Sequence, residues 1–304
     1  MKLKTKDLLT LSELSPQEFT KLIDLSIKLK KDLKKGGNKP LLKNKTLAMI
    51  FQKPSTRTRV SFEAGMFQLG GHAINLSSHD TQLSRGETIE DTAKTLSRYT
   101  DCIMARVYAH DLLEKLAKYA TVPVINGLSN SFHPCQTLAD FMTIKEKKGK
   151  FNGLKIAWIG DGNNVCHSLI IGCSLSGAKI SIATPKGFEP NKAIVKESRK
   201  STDVDLTLDP IKAVANADVV FTDTFTSIHN RDPNRTKKFL PKYQVNQSLM
   251  QHAKKNSIFM HCLPAKRGYE VTSSVIDGPQ SVVWDEAENR LHTQKALMVS
   301  LIRA

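Results

Sequence analysis

Short β-rich runs alternate with helical segments along almost the whole chain of 304 residues, and this alternation constrains the fold more than any other feature. A strand, a helix and a further strand in succession indicate a parallel sheet with helices packed on its faces. One alternating set occupies about residues 1–136, and a second occupies 151–285. We therefore predict an α/β protein of two domains, each a parallel sheet flanked by helices, with a connecting helix over 137–150.

Two local patterns near the start and one at the end give definite predictions. Ser15 precedes a helical apolar pattern and is a typical N-cap residue. The segment TLAMIF, residues 46–51, has the composition of a buried strand. The final segment, 289–304, is apolar on one face, so we expect a helix that packs back on the N-terminal domain.

Composition disfavours several classes of protein. Hydrophobic residues make up 40% of the chain and charged residues 24%, as in ordinary soluble globular proteins. No apolar run reaches the length of about 18 residues that a membrane span needs. The first residues lack the apolar core of a signal peptide, and the five cysteines are not closely paired, which favours a reducing compartment. We therefore expect a cytoplasmic protein without disulfides.

The net charge of +16 favours an anionic partner without identifying it. The densest basic groups, residues 28–35 and 145–150, have the pattern of solvated helix ends. No zinc finger, basic zipper or RNA-binding aromatic motif accompanies them, so we do not expect nucleic-acid binding. Small anionic substrates fit the charge without any such motif.

The segment WIGDGNN, residues 158–164, begins like a dinucleotide-binding turn but lacks two of its parts. Val165 stands where the third glycine is needed, and the next strand ends in Thr184 and Pro185 instead of the acid that binds a ribose. We therefore predict no NAD site. Asn163 and Asn164 are expected either to cap a helix or to bind a substrate carboxylate, and the turn alone favours the cap.

The segment KPSTRTR combines a strand end, a proline and a helix start. The first N–H groups of a helix have no partner within the helix, and the helix dipole is positive there. Hydroxyl groups and the Arg57 guanidinium add further donors in the same turn, and a simple helix cap would not need Arg57. The segment therefore predicts an anion site, with phosphate as the natural ligand.

The segment STRTRVSFE, residues 55–63, resembles the carbamoyl-phosphate loop of the aspartate/ornithine carbamoyltransferase family. Four further segments resemble motifs of this family in the same order: QLSRGETIEDTAKTLSRY, MARV, HPCQTLADF and HCLPAKRG, at residues 82–99, 104–107, 133–141 and 261–268. The segment DEAENRLHTQKA follows at 285–296. The last two segments resemble the ornithine branch of the family, and the resemblance covers nearly the whole chain.

The resemblance implies a reaction in which carbamoyl phosphate and L-ornithine give L-citrulline and phosphate, as a step of arginine metabolism. It implies no metal and no organic cofactor. It also implies a homotrimer, or a multiple of trimers, with active sites at the subunit interfaces. Residues 1–136 and the last helix would bind carbamoyl phosphate, and residues 151–285 would bind ornithine.

The resemblance further implies a role for individual residues. Arg106, His133, Cys262 and Asp223 would be catalytic, with Thr58 beside Arg106 and His133 at the carbonyl oxygen, and Cys262 a polar partner of the δ-amine and not a covalent nucleophile. Carbamoyl phosphate would be bound by Ser55, Thr56, Arg57, Thr58, Gln82 of a neighbouring subunit, Arg106, His133, Gln136, Cys262, Leu263 and Arg290, the last from the start of the final helix. Ornithine would be bound by Asn164, Asp223, Ser227 and Ile228.

The segment after Asp223 departs from the family, which usually has Ser-Met-Gly where this chain has Ser227, Ile228 and His229. Histidine adopts a positive φ less readily than glycine does, so this departure bears on lid closure and on the choice of amine. Carbamoylation of putrescine or of a modified ornithine is an alternative activity. A non-catalytic regulatory subunit is a second alternative, which the intact Arg57, Arg106, His133 and Cys262 disfavour.

A zinc site formed by His133, Cys135, His261 and Cys262 is a further alternative. Their spacing matches no zinc motif. Adjacent residues in a strand point to opposite faces, so we expect His261 and Cys262 not to chelate one ion. We therefore predict no metal site.

Overall fold

The computed structural model describes residues 2–77, 81–226 and 234–302. The chain divides into two compact units. Unit 1 consists of residues 1–142 together with 288–304, and unit 2 consists of 143–287. Unit 1 is therefore built from two stretches of sequence that lie on either side of unit 2.

The sheet of unit 1 contains strands β1 (Thr46–Phe51), β2 (His72–Ser77), β3 (Cys102–Arg106) and β4 (Val124–Leu128). All neighbouring pairs are parallel, in the order β2–β1–β3–β4. Strands β1 and β3 lie in the centre and are buried almost throughout, whereas the edge strand β2 is partly exposed. Near-continuous apolar strands are typical of a parallel sheet that is covered on both faces.

The helices of unit 1 that connect these strands are α1 (Pro16–Lys34), α2 (Thr56–Gln68), α3 (Ile89–Tyr99) and α4 (His110–Tyr119), with a 3₁₀ turn at Gln82–Arg85. Ser15 caps α1 as predicted, since its side chain accepts the N–H of Glu18 while the Glu18 carboxylate accepts the N–H of Ser15. Helices α3 and α4 contribute Ala93, Leu113 and Leu116 to the apolar core around β3.

The sheet of unit 2 contains strands β5 (Lys155–Ile159), β6 (Lys179–Ala183), β7 (Val204–Thr207), β8 (Val219–Thr222) and β9 (Ile258–Met260). They are parallel, in the order β7–β6–β5–β8–β9. The strands are connected by helices α6 (Asn164–Ser176), α7 (Lys192–Ser198), α8 (Pro210–Val214), α9 (Gln247–Met250) and, after β9, α10 (Ser273–Ile276), with a 3₁₀ turn at Arg235–Lys238. The rings of Phe225 and Phe239 stack 4.5 Å apart in the core of this unit.

Two helices, α5 (Pro134–Lys148) and α11 (Val283–Leu301), each contribute residues to both units. The part of α11 from residue 288 onward belongs to unit 1, where Asn289 accepts a hydrogen bond of 2.7 Å from Lys30. The predicted fold class, with two parallel sheets flanked by helices and the C-terminal helix on the N-terminal region, is confirmed.

Helix α11 begins at Val283 and not at Asn289, so the prediction that Arg290 lies at the start of the final helix is wrong. The first turn carries Asp285 and Glu286, whose negative charges are favourable at the positive end of a helix. Arg290 therefore lies well inside the helix, on a rigid segment.

Among the described residues, no helix combines the length with the apolar character that crossing a membrane requires.

Candidate active site

The strand orders place functional residues at one point of each sheet. In unit 1 the chain runs outward from β1 to β2 on one side and from β3 to β4 on the other. In unit 2 it runs outward from β5 to β7 and from β8 to β9. Ligands of parallel sheets bind at such switch points, beyond the carboxyl ends of the two central strands. Ser55 and Arg106 occupy this position in unit 1, and Asn163 and Asp223 occupy it in unit 2.

The loop after β1 gathers hydrogen-bond donors at the N-terminal end of α2. Ser55 is the N-cap of α2, and its hydroxyl accepts the N–H of Thr58 at 3.3 Å and donates to Thr58 Oγ1 at 3.1 Å. The first turn of α2 contains no acidic residue. Thr56 is exposed and Arg57 is half-buried, so both lie close to solvent at the positive end of the helix. This end of α2 therefore presents N–H, hydroxyl and guanidinium donors together.

Arg290 ties the anion loop to two other helices. Its guanidinium donates to Gln136 Oε1 at 2.8 Å, to Gln294 Oε1 at 3.0 Å and to Thr58 Oγ1 at 3.4 Å. The Gln136 amide donates in turn to Asp140 at 2.9 Å. Arg290 is only 3% exposed, and a buried guanidinium held by side-chain oxygens keeps its charge in a fixed place. Residues that are 232 positions apart in sequence thus form one polar cluster.

His133 precedes α5 and is buried. Burial and then the positive charges of Arg290, Arg106 and Arg57 hold the pKa of His133 well below 6.5. The imidazole is therefore neutral at physiological pH, and it can donate one N–H without adding a charge. Three guanidinium groups that act on one histidine also show that Arg57, Arg106 and Arg290 share its surroundings.

Lys53 adds a further positive group just before the anion loop. Its side chain is fully buried, and Nζ lies 4.3 Å from the centre of the Tyr108 ring. Burial, and to a lesser extent the charge of Arg106, lowers the pKa of Lys53 to about 8. The ammonium still carries most of its charge at pH 7, so the site in unit 1 is strongly positive.

The site in unit 2 has the opposite character. Asn163 is the N-cap of α6, and its Oδ1 accepts the N–H groups of Val165 and Cys166. Its amide donates to Asp223 Oδ2 at 2.8 Å, and the Cys262 thiol donates to Asp223 Oδ1 at 3.3 Å. A carboxylate held by an amide and a thiol is suited to bind an ammonium group, because the fixed donors leave its negative charge in place.

Arg235 and Asp161 form a second charged pair in this unit. The guanidinium of Arg235 bonds to the Asp161 carboxylate and to the carbonyl of Phe225 at 2.9 Å. Burial raises the pKa of Asp161, while the charge of Arg235 opposes that rise. The pair fixes the loop after β5 to the segment after β8, and so supports the position of Asp223.

The structure brings most of the predicted site residues together within their own units. Unit 1 gathers Ser55, Thr58, Gln136 and Arg290 by direct hydrogen bonds, and Arg57, Arg106 and His133 by charge. Gln82 is exposed on its 3₁₀ turn. Unit 2 gathers Asp223 and Cys262, with Asn164 in the first turn of α6. Ser227, Ile228 and His229 lie outside the described residues.

The expected geometry of His261 and Cys262 is wrong. Both residues lie beyond the last residue of β9, where the alternation of a strand no longer applies, and their side chains approach Asp223 with ligand atoms within 4.8 Å of one another. However, His261 Nδ1 accepts the N–H of Leu263 at 2.8 Å and Nε2 lies 3.3 Å from Glu270. Because both ring nitrogens are engaged, this group offers a metal ion only Asp223 and Cys262 without rearrangement.

Sequence reasoning missed several residues of the site. Asn163 was expected as a cap, and it is one, but its amide also holds Asp223. Lys53 and Gln294 lie within the segments KPSTRTR and DEAENRLHTQKA, but neither was given a role, and only the pairing of β1 with β3 and of α2 with α11 shows their place. Gly162 is explained by packing, since a Cβ there would lie 2.3 Å from the backbone nitrogen of Pro190.

Comparison with known proteins agrees with this arrangement. A family model described as the carbamoyl-P binding domain of aspartate/ornithine carbamoyltransferase matches residues 6–146. A second model, described as the Asp/Orn binding domain of the same family, matches residues 152–301. Together the two models cover almost the whole chain.

Individual relatives are similar over their full length. An ornithine carbamoyltransferase from Cenarchaeum symbiosum is 62% identical over 303 residues, which are 99% of each chain. One from Pyrococcus horikoshii is 54% identical over 99% of this chain and 96% of that protein. The solved structure of an ornithine carbamoyltransferase from Pyrococcus furiosus matches with a TM-score of 0.95 and 53% identity, over 99% of this chain and 98% of that one. The chain therefore belongs to the aspartate/ornithine carbamoyltransferase family.

Proposed function

We propose that this protein transfers the carbamoyl group of carbamoyl phosphate to the δ-amine of L-ornithine, giving L-citrulline and phosphate. The observation that carries the proposal is the opposite charge of the two sites. Unit 1 holds Arg57, Arg106 and Arg290 around a neutral histidine, and unit 2 holds the Asp223 carboxylate beside a thiol and an amide. A dianionic donor suits the first site, and an amino acid with ammonium groups suits the second.

The phosphate of the donor binds at the start of α2 in this proposal. Ser55, Thr56, Arg57 and Thr58 supply donors at the positive end of that helix. Arg106 adds a guanidinium from the end of β3. The leaving group gains negative charge as the C–O bond breaks, so donors fixed before the reaction stabilise the transition state more than the ground state.

The carbonyl oxygen of the carbamoyl group becomes negative when the amine adds to the carbon. Arg106, His133 and Thr58 are the proposed donors to this oxygen, and Gln136 and Arg290 hold the carbamoyl nitrogen end. Removal of one such donor typically costs about 2.7–4 kcal/mol of transition-state stabilisation. The neutral state of His133 is favourable here, because its N–H can donate a hydrogen bond to the oxygen without adding a further positive charge beside the three arginines.

Ornithine binds in unit 2 in this proposal, with Asp223 and Ser227 on the α-ammonium and with Asn164 and Ile228 on the carboxylate. Cys262 and Leu263 line the end where the δ-amine reacts. An alkyl ammonium has a pKa of about 10.4, so only about one molecule in a thousand is neutral at pH 7.4. The thiol of Cys262 donates to Asp223, which supports its role as a polar partner that keeps its proton.

We also propose a homotrimer in which Gln82 reaches the phosphate of a neighbouring subunit. Gln82 is exposed, and unit 1 carries large apolar side chains at its surface: Phe67 is 81% exposed, Tyr99 is 75% and Val60 is 55%. Exposed apolar side chains mark an interface where they form a contiguous patch. A contact between subunits through unit 1 would bring Gln82 of one subunit toward the anion loop of its neighbour, whereas a contact through unit 2 would not.

The test is a citrulline colorimetric assay with carbamoyl phosphate and four amines side by side: ornithine, putrescine, N-acetylornithine and aspartate. We expect ornithine to be used at least 100-fold more efficiently than the others. Preference for putrescine would show that the amine substrate is a diamine and not ornithine. Absence of product with every amine, under conditions where phosphate still binds, would refute the proposal.

A matched pair of variants tests the anion site itself. Arg57→Met removes a half-buried guanidinium of the loop, and Arg59→Met removes an exposed one on the same helix that pairs with Glu63 at 3.0 Å. We expect kcat/KM for carbamoyl phosphate to fall by at least 100-fold in the first variant, because a donor to the developing charge is lost. The second variant should stay within twofold, and an equal effect of both would contradict the assignment of Arg57.

A further inference from the structure

The turn that follows β9 is held by side chains and not by the sheet. The backbone N–H of His261 donates to Glu286 Oε2 at 3.0 Å, and the N–H of Leu263 donates to His261 Nδ1 at 2.8 Å. Leu263 has a φ of +57°, in the left-handed region that a leucine seldom adopts. Backbone strain of this kind persists only where the surroundings enforce it. The His261 ring is the group that engages the strained residue.

The hydrogen bonds determine which nitrogen of His261 carries the proton. An N–H group can only donate, so the contact with Leu263 requires an unprotonated Nδ1. The proton then lies on Nε2, which faces Glu270 Oε1 at 3.3 Å. A carboxylate on the far nitrogen is the usual device by which proteins fix the tautomer and the orientation of an imidazole.

Glu270 is itself held in place. The same oxygen, Oε1, accepts the backbone N–H of Lys266, and the Glu270 carbonyl accepts the N–H of Val245 at 2.9 Å. His261 and Glu270 are both fully buried. The pair therefore forms a rigid support behind the turn, out of reach of solvent.

The position of Cys262 depends on this pair. Cys262 lies between His261 and Leu263, and its thiol reaches Asp223 at 3.3 Å. If the N–H of Leu263 lost its acceptor, the left-handed conformation would relax, and both the Cys262 thiol and the Leu263 carbonyl would move.

We propose that His261 and Glu270 are positioning residues for the amine substrate. Glu270 fixes the Nε2–H tautomer of His261, and the ring holds Leu263 in its left-handed conformation, so that the Cys262 thiol and the Leu263 carbonyl meet the reacting amine. The kinetic part of this inference rests on the proposed carbamoyl transfer. The conformational part does not, since it concerns only contacts within unit 2.

Two substitutions of His261 separate its two contacts. In His261→Asn the amide oxygen can replace Nδ1 and accept the N–H of Leu263, as in an Asx turn, but the contact with Glu270 is lost. In His261→Gln the longer side chain can reach Glu270, but the acceptor for Leu263 is lost. His252→Gln, at an exposed histidine of the same unit, is the matched control.

The kinetic readout is a split between the two substrates. We expect His261→Gln to raise KM for ornithine about 10-fold or more, equivalent to about 1.4 kcal/mol. The dissociation constant of inorganic phosphate should stay within twofold. His261→Asn should lose clearly less than His261→Gln, and His252→Gln should match the wild type. Equal losses in the two His261 variants, or an equal weakening of phosphate binding, would overturn the proposal.

A spectroscopic readout decides the conformational part whether or not citrulline forms. The ¹⁵N shifts of the neutral His261 ring should show a protonated Nε2 and an unprotonated Nδ1. The amide proton of Leu263 should be protected from exchange in the wild type and in His261→Asn, and unprotected in His261→Gln. An Nδ1–H tautomer, or equal protection in both variants, would overturn the proposal even in an active enzyme.

Discussion

Replacement of Arg290 by methionine is the most informative single change in unit 1. The guanidinium donates to Gln136 at 2.8 Å, to Gln294 at 3.0 Å and to Thr58 at 3.4 Å, so one side chain connects α2, α5 and α11. Methionine has a comparable length and packs well in irregular gaps, but it supplies no donor and no charge. The change therefore removes the electrostatic role and leaves most of the packing.

The expected magnitude follows from these contacts. A hydrogen bond from a charged group contributes about 1.5–3 kcal/mol. Loss of one such bond to the donor substrate corresponds to an increase of about 10- to 150-fold in KM for carbamoyl phosphate. Gln136 is 1% exposed, and an acceptor left buried without its donor also lowers the free energy of unfolding by about 1–3 kcal/mol.

His133 provides a second, independent readout of the same variant. After burial, the charge of Arg290 is the largest cause that lowers the pKa of His133. In Arg290→Met this pKa should therefore rise toward 6.5, whereas Arg290→Lys keeps a positive charge and should leave it low. Lysine lacks the planar fork, so its KM for carbamoyl phosphate should lie between those of the wild type and Arg290→Met.

The assay combines steady-state kinetics, calorimetry with inorganic phosphate, and an NMR titration of the histidine rings. An Arg290→Met protein that binds phosphate within twofold of the wild type, with an unchanged His133 titration, would refute this account of the site. A loss of stability with unchanged KM would show that Arg290 is only a structural residue.

Two further predictions concern stability and assembly. Burial lowers the pKa of Lys295 from 10.5 to about 8, so the unfolded chain binds more protons than the folded chain between these two pH values. The buried ammonium therefore destabilises the fold fully below pH 8, and this destabilisation disappears as the pH rises to 10.5. Lys295→Met should therefore raise the free energy of unfolding in urea by about 1–3 kcal/mol at pH 7 and by less at pH 10, and an equal change at both would contradict the cause. Phe67→Glu should reduce the mass measured by light scattering from a trimer to a monomer, whereas Leu208→Glu, at an exposed apolar site of unit 2, should leave it unchanged; a trimer that survives Phe67→Glu would place the interface elsewhere.

The elements with strong local signals were predictable from the sequence. Strand β1 occupies residues 46–51 as predicted, because a short apolar run with β-branched and large side chains is bounded by polar residues. The cap at Ser15 was predictable because a capping box is a contact between residues three positions apart. Such interactions are complete within one turn of chain.

Strand β7 was not predicted, and its position at the sheet edge explains why. Its residues Asp205 and Leu206 are exposed, so the segment has neither an apolar run nor a regular alternation. Only the pairing with β6 makes it a strand, and such a pairing is not visible in a local pattern.

The candidate site shows the same division. Ser55 and Arg57 could be assigned to an anion site because they follow a strand and begin a helix. The contact of Arg290 with Thr58 joins residues 232 positions apart, and that of Asn163 with Asp223 joins residues 60 positions apart. These contacts depend on the order of strands and on the packing of helices, which the resemblance to a family implies but no local pattern contains.

The division of unit 1 into two stretches of sequence has a consequence for biogenesis. Residues 288–304 belong to this unit but are made after the whole of unit 2, and they bring the Arg290 guanidinium and the Lys295 ammonium that unit 1 buries. Domains fold as units while the chain is synthesised, so unit 2, which is complete by residue 287, can form its sheet first. A chain truncated before residue 288 should therefore keep the contact of Cys262 with Asp223 in unit 2 and lack the contact of Arg290 with Gln136 in unit 1. Unit 1 therefore cannot complete the polar cluster around Arg290 until the segment that follows unit 2 in sequence has been made.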